Sequence, residues 1–217
     1  MKHVQIAIDG PAGAGKSTIA KMIARQLGYT YIDTGAMYRA ITLKALRQNI
    51  DLTIEDNFNF VKETTFKFVD GALYMDDIDE SKNIRTHKVS NNVSLVSSYI
   101  SVRNECVKIQ RVISDKDCVV MDGRDIGYNV LPNADYKFYL TASIETRAER
   151  RYKDNIMRGI KSDLNILKEK IKTRDHFDST REHSPLKPAE DAIIIDTSEL
   201  SIEQVVELIT NQINEVD

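Results

Sequence analysis

Two kinds of apolar pattern alternate along the first fifty residues. Val4-Gln5-Ile6-Ala7-Ile8 is a short β-branched run, the pattern of a strand covered on both faces, and predicts a strand over 3–9. After a glycine-rich break, Ile19, Ile23 and Leu27 recur at helical spacing, which predicts a helix over 16–28 closed by Gly28. Tyr29-Thr30-Tyr31-Ile32-Asp33 is aromatic and β-branched and predicts a second strand. Residues 34–46 open with a capping-type threonine and return to helical spacing. Strand, loop, helix and strand in about thirty residues make a βαβ unit, which implies a parallel sheet with helices on its faces.

The pattern changes after residue 50. Residues 65–75 hold two short alternating runs around Asp70-Gly71, a hairpin signal, and the acidic stretch 76–80 follows. A hairpin cannot belong to a purely parallel sheet, so 57–93 is expected to be an inserted subdomain. Val102, Cys106, Ile109 and Ile113 return to near-helical spacing, and one helix is expected over 94–115. Residues 117–125 form a third core strand running into a charged turn. Residues 136–140 and 192–196 are the remaining strands, and 202–213 is a closing helix. The fold class is therefore α/β, with a five-stranded parallel sheet flanked by helices. Ligands of such sheets bind outside the carboxyl ends of the strands. Asp9, Asp33, Asp122 and the residues after them are expected to face one crevice.

The glycine-rich break is the most specific feature. Gly10 to Ser17 reads Gly-x-x-x-x-Gly-Lys-Ser between a strand and a helix, the pattern of a phosphate-cradling P-loop. Its glycines let backbone N–H groups approach an anion, and the helix presents its positive end to the same charge. Gly10, Pro11, Ala12, Gly13, Ala14, Gly15, Lys16, Ser17 and Thr18 are the candidate residues for binding a nucleotide triphosphate. Lys16 carries charge to the outer phosphates, and Ser17 is placed to ligate Mg²⁺. Asp122 ends an apolar strand and suits the same Mg²⁺, directly or through water; its alternative is a turn-forming Asp-Gly.

Four further groups of residues suit an anionic second ligand. Arg124 and Asp125 follow the third strand. Arg147, Arg150, Arg151 and Arg158 fall on one sector of a helix, and like charges there repel unless an anion neutralises them or the face is simply solvated. Beside a triphosphate they suit a lid over 147–160. Arg174, Asp178 and Arg181 share a helix face that must end before Pro185, and equally suit a surface ion-pair ladder. Thr34, Tyr38 and Arg39 lie beyond the second strand, where Tyr38 is either a ligand contact or a core-edge aromatic.

Composition narrows the partners. The 217 residues, 41% hydrophobic with formal net charge −3, suit a single domain with insertions. No apolar stretch approaches a bilayer span, and no basic stripe with interleaved aromatics suggests nucleic acid. Cys106 and Cys118 lack metal spacing and are expected to be reduced, and a cytoplasmic monomer is expected. His3, His87, His176 and His183 lack ligand spacing. There is no Asn-Lys-x-Asp guanine-reading motif.

Five segments together resemble the bacterial cytidylate kinases: Gly-Pro-Ala-Gly-Ala-Gly-Lys-Ser-Thr at 10–18, Tyr-Ile-Asp-Thr-Gly-Ala-Met-Tyr-Arg at 31–39, Ile-Arg-Thr at 84–86, Met-Asp-Gly-Arg-Asp-Ile-Gly at 121–127, and Arg-Asp-x-x-Asp-x-x-Arg at 174–181. The resemblance spans essentially the whole chain. It implies a P-loop fold that moves the γ-phosphoryl of ATP to CMP or dCMP with Mg²⁺, using a monophosphate-binding insertion and a short lid. It also implies roles. Arg39, Arg124 and Arg181 would hold the acceptor phosphate. Ser94, Arg103 and Asp125 would read cytosine. Arg174, Asp178 and Thr34 would lie near the sugar, and Lys16, Arg147 and Arg151 would face the transferred phosphate. A kinase of the same fold acting on UMP, AMP or a metabolite hydroxyl is the nearest rival, and a non-catalytic nucleotide-binding module the more distant one.

Overall fold

The runs at 5–9 and 119–123 are buried on both faces, whereas the run at 193–196 leaves Ile193 and Ile194 exposed. In the computed structural model, which describes residues 3–69, 71–157 and 159–214, they and the other two predicted core strands form one five-stranded sheet. β1 (Gln5–Asp9), β2 (Thr30–Asp33), β6 (Val119–Gly123), β7 (Tyr136–Thr141) and β8 (Ile193–Asp196) lie in the order β2-β6-β1-β7-β8. All neighbours are parallel. The register sets Asp33 opposite Asp122 and Asp9 opposite Gly123, so three strands end level. Ile6, Ile8, Val120 and Met121 are wholly buried.

Helices α1 (Lys16–Leu27) and α7 (Ile202–Asn214) contribute Ile19, Ile23, Val206 and Ile209 to the apolar layer over one face of that sheet. α2 (Thr34–Arg47) starts directly from β2, with Asp33 as its N-cap accepting from the Ala36 N–H at 2.9 Å.

The inserted region holds a separate antiparallel sheet of β3 (Phe66–Val69), β4 (Ala72–Met75) and β5 (Ile78–Asp79). Asp70, in the first turn, lies outside the described residues. The expected acidic stretch contains a second tight turn. Asp76 and Asp77 both take left-handed backbone, at φ 51° and 64°, which aspartate tolerates better than most residues. Asp76 is fixed there by the Thr65 N–H and by Lys44.

The single helix expected over 94–115 is two: α3 (His87–Val96) and α4 (Ile100–Ser114). Thr86 caps α3 much earlier than the apolar spacing suggested. The break follows from the serines: Ser97 and Ser98 donate to the carbonyls of Ser94 and Leu95 at 3.1 and 2.7 Å. Such back-bonding competes with helix propagation. The remaining helices are α5 (Ile144–Met157) and α6 (Leu164–Thr180). Arg181 is the C-cap of α6 and takes extended backbone, so it flanks the expected helix face rather than continuing it.

Gly10 carries the tightest approach in the fold. It has φ +143°, and a Cβ there would sit 2.0 Å from the Leu140 carbonyl oxygen of β7. Gly28, at φ +68°, faces open space. In urea unfolding, Gly28→Ala should therefore cost about 1 kcal/mol for its backbone alone, and Gly10→Ala about 3 kcal/mol or more. Equal losses would contradict the packing of the loop against β7.

Candidate functional site

Because β2 and β6 end level, the residues after them converge on one crevice of about 210 Å³. Eight basic side chains line it, Lys16, Arg39, Arg85, Arg103, Arg124, Arg151, Arg174 and Arg181, against four carboxylates, Asp33, Asp122, Asp125 and Asp178. A crevice with that balance is built for anions.

Asp122 is its hub. Asp122 Oδ2 accepts from Ser17 Oγ at 2.9 Å, and Oδ1 from the Tyr31 hydroxyl at 2.7 Å. The Asp122 carbonyl accepts from Thr34 Oγ1 at 2.8 Å. The first helix residues and both level strands thus meet at one carboxylate. Burial, and then Asp33, push its pKa up. Ser17 and Asp122 offer hard oxygens of the kind Mg²⁺ prefers. Among the described residues no group of three or more His, Cys, Asp or Glu could hold a metal ion. A cation at Ser17 and Asp122 would therefore take its other ligands from bound phosphate and water. Lys16 is buried, and its Nζ donates to the Pro11 carbonyl at 2.8 Å. Burial, and then Arg124, lower its pKa.

A second constellation lies in the same crevice. The Arg103 guanidinium and the Asp125 carboxylate are both buried and directly paired through Nη2 and Oδ2. Arg103 Nη1 donates to the Ser97 carbonyl at 3.0 Å, and its guanidinium lies 5.4 Å from the Tyr38 ring centre. Arg124 Nε donates to Asp178 Oδ2 at 3.0 Å, with Arg174 Nε 3.7 Å from the same oxygen. Burial opposes the charge on Asp178, yet Arg124 and Arg174 hold its pKa below the usual carboxylate range.

The cations are incompletely matched. Arg103 Nε, Arg174 Nε and Arg181 Nη2 are buried without a hydrogen-bond acceptor. Burial, and then Arg174, lower the Arg39 pKa to about 9. Burial, and then Arg124, lower that of Arg174 to about 10. A bound anion relieves both causes of strain, by supplying acceptors and opposite charge.

The structure separates residues that spacing had grouped. Of the described arginines of the stripe, Arg147, Arg150 and Arg151, only Arg151 lines the crevice. Arg147 is buried and turned under the loop, its Nη1 donating to the Ala12 carbonyl at 3.1 Å and pairing with Asp175 at 2.7 Å. It thus supports the loop backbone. Arg150 donates to Thr197, and Arg158 lies outside the described residues. Asp9, expected to face the crevice, is buried elsewhere: its carboxylate accepts from the Ile126 and Gly127 N–H groups at 2.8 and 2.7 Å. Burial pushes its pKa up to about 7. Ser94 is half-buried on α3, and Ser97, three residues on, lines the crevice in its place. Thr34, Tyr38 and Arg39 do line it, Arg39 Nη1 donating to Ser90 Oγ at 3.0 Å. Of the loop, Ala12, Gly13, Lys16 and Ser17 line the crevice, whereas Thr18 is exposed on α1. Tyr31, Arg85 and Ser97 had no assigned role from sequence. Arg85 lies in the Ile-Arg-Thr segment of the resemblance, but Tyr31 read simply as a strand aromatic.

Comparison with known proteins shows the family. The family model for cytidylate kinase matches residues 6–215. A cytidylate kinase of Bacillus subtilis is 48% identical over 219 residues, covering 99% of this chain and 98% of the relative. One of Streptococcus sanguinis is 50% identical over 222 residues, covering 100% and 99%. Among solved structures, a shikimate kinase from Bacteroides thetaiotaomicron aligns at TM-score 0.50 and 14% identity, covering 97% of this chain and 98% of that one, a likeness of fold alone.

The buried Arg103–Asp125 pair makes a direct prediction. Asp125→Asn strands a buried guanidinium and should cost about 3 kcal/mol in urea unfolding. The Arg103→Met/Asp125→Leu double variant should lose less than that single variant, because no charge remains unpaired. A double variant as unstable as the sum of its singles would refute the pairing.

Proposed function

Because the chain belongs to the cytidylate kinase family, we propose how its own residues divide the work of that family's reaction. The protein is an ATP-dependent nucleoside monophosphate kinase acting on CMP and dCMP. The observation that carries the assignment of its site is the buried Arg103–Asp125 pair, in the same crevice as the Ser17–Asp122 pair.

The donor half is the loop 10–18, with Lys16 on the outer phosphates. Arg147 keeps the loop in shape through the Ala12 carbonyl. Ser17 and Asp122 would hold Mg²⁺, with Tyr31 fixing the second carboxylate oxygen. When bound, that ion neutralises charge on the phosphates and helps align them.

The acceptor half is the arginine set. Arg39, Arg124 and Arg181 bind the acceptor phosphate, a reading supported by the crowding of Arg39 against Arg174 and by the unmatched Arg181 Nη2. Asp178 bridges Arg124 and Arg174 through one carboxylate oxygen, and Thr34, Arg174 and Asp178 border the sugar. Asp125 accepts from the exocyclic amino group of cytosine, while Arg103 donates to its ring acceptors. Ser94 joins this group by resemblance alone. Uracil places a carbonyl where the amino group was, facing a carboxylate, and leaves buried groups mispaired.

An oxygen of the acceptor monophosphate attacks the γ-phosphorus as the bond to the bridging β-oxygen breaks. The acceptor oxygen is already ionised, so no general base is needed. Catalysis is positioning and charge stabilisation. Arg151, exposed at the crevice edge, meets the transferring group as 147–160 closes as a lid, and 57–93 closes over the monophosphate. No helix among the described residues is long and apolar enough to cross a membrane, and a cytoplasmic monomer fits the composition.

The test is steady-state phosphorylation of CMP, dCMP, UMP and AMP with ATP and Mg²⁺. CMP and dCMP should exceed UMP and AMP in kcat/KM by about 100-fold or more, the penalty for stranding the buried base-reading groups. Comparable UMP turnover would overturn the reading of Asp125.

A further inference from the structure

One side chain joins the turn carrying Asp125 to the turn that follows α6. Asn129 lies half-buried on the π-helical turn Ile126–Val130, four residues beyond Asp125. Its Nδ2 donates to Asp125 Oδ2 at 2.8 Å and to Ser184 Oγ at 3.1 Å. An amide nitrogen has two hydrogens, and both are engaged. Asp125 Oδ2 also accepts from Arg103, so two donors occupy it. Oδ1, 3.8 Å from Arg181 Nη2, keeps room for another donor.

The far end of the link leads to the phosphate side. Ser184 has φ +50°, and its carbonyl accepts from Arg181 Nε at 2.7 Å. The neighbouring Tyr128 donates its hydroxyl to the Pro185 carbonyl, and Lys187 lies 4.9 Å over its ring. The chain Asp125–Asn129–Ser184–Arg181 therefore connects the carboxylate assigned to the base with an arginine assigned to the phosphate.

We propose that Asn129 is a specificity-determining positioning residue, which engages Asp125 Oδ2 so that Oδ1 alone meets the acceptor base, in register with Arg181. This rests on the reading of Asp125 as the group facing cytosine. A carboxylate held by Arg103 alone is free to pivot about that contact and swing its second oxygen toward Arg181. An amino group would then find its acceptor displaced, and a carbonyl would meet less opposing charge. Asn129 itself touches no substrate; it acts through the orientation of Asp125.

The experiment compares CMP and UMP at saturating ATP for the wild type, Asn129→Ala and Asn129→Asp, with a thermal melt of each. Asn129→Ala should lower kcat/KM for CMP about ten-fold, the scale of one hydrogen bond to a charged group. The KM for ATP should stay within about two-fold, because the donor contacts are untouched. The CMP-to-UMP ratio should fall with it. Asn129→Asp keeps the shape, places a second carboxylate beside Oδ2 and should lower the ratio further; it carries the test if the alanine variant does not fold. A ratio unchanged in a folded variant, even one with a lower melting temperature, would overturn the inference and leave Asn129 a plain cross-link. A wild type that does not distinguish CMP from UMP would instead overturn the reading of Asp125 beneath it.

Discussion

The rest of this structure depends on one constraint: a crowd of positive charge must be kept in a half-enclosed crevice before any anion arrives. Eight basic side chains line that space with only four carboxylates. Burying a cation is costly unless it is paired and hydrogen-bonded. Asp125 holds Arg103, and Asp178 holds Arg124 and Arg174. The pairing is incomplete: Arg103 Nε, Arg174 Nε and Arg181 Nη2 have no hydrogen-bond acceptor.

The parallel sheet makes the crowding possible. Strands β2 and β6 end level, so the chain leaves the sheet beside one point twice. Asp122 occupies that point and is fixed through Ser17, Tyr31 and Thr34. Gly123, next in the chain, has no room for a side chain: an added Cβ would lie 2.7 Å from Thr34 Oγ1. Asp9 fixes the backbone at Ile126 and Gly127 from beneath, which sets where Asp125 emerges.

Much of this was legible in the amino-acid sequence. The five strands, the first two helices and the phosphate loop follow from apolar periodicity and a glycine pattern, which are local properties. The loss of the helix between Ser97 and Tyr99 was not legible, because serine hydroxyls bonding back to carbonyls look the same in sequence as solvent-facing serines. Helical spacing grouped Arg147, Arg150 and Arg151 correctly as neighbours. It could not say that one turns under the loop, one reaches Thr197 and one meets the crevice. Asp9, Asp33 and Asp122 end strands alike, and only the packing of 126–127 against β1 distinguishes the first. Asn129 and Ser184 are 55 residues apart, a separation that no short-range pattern spans.

The proposed function requires that the acceptor's negative charge complete the site. Its most direct test is urea unfolding at fixed ionic strength with added CMP or added cytidine. At 100 times its dissociation constant, CMP should raise the unfolding free energy by about 2.7 kcal/mol. Cytidine at the same concentration should raise it far less, because the arginines stay unmatched. Equal stabilisation by cytidine and CMP would contradict the account.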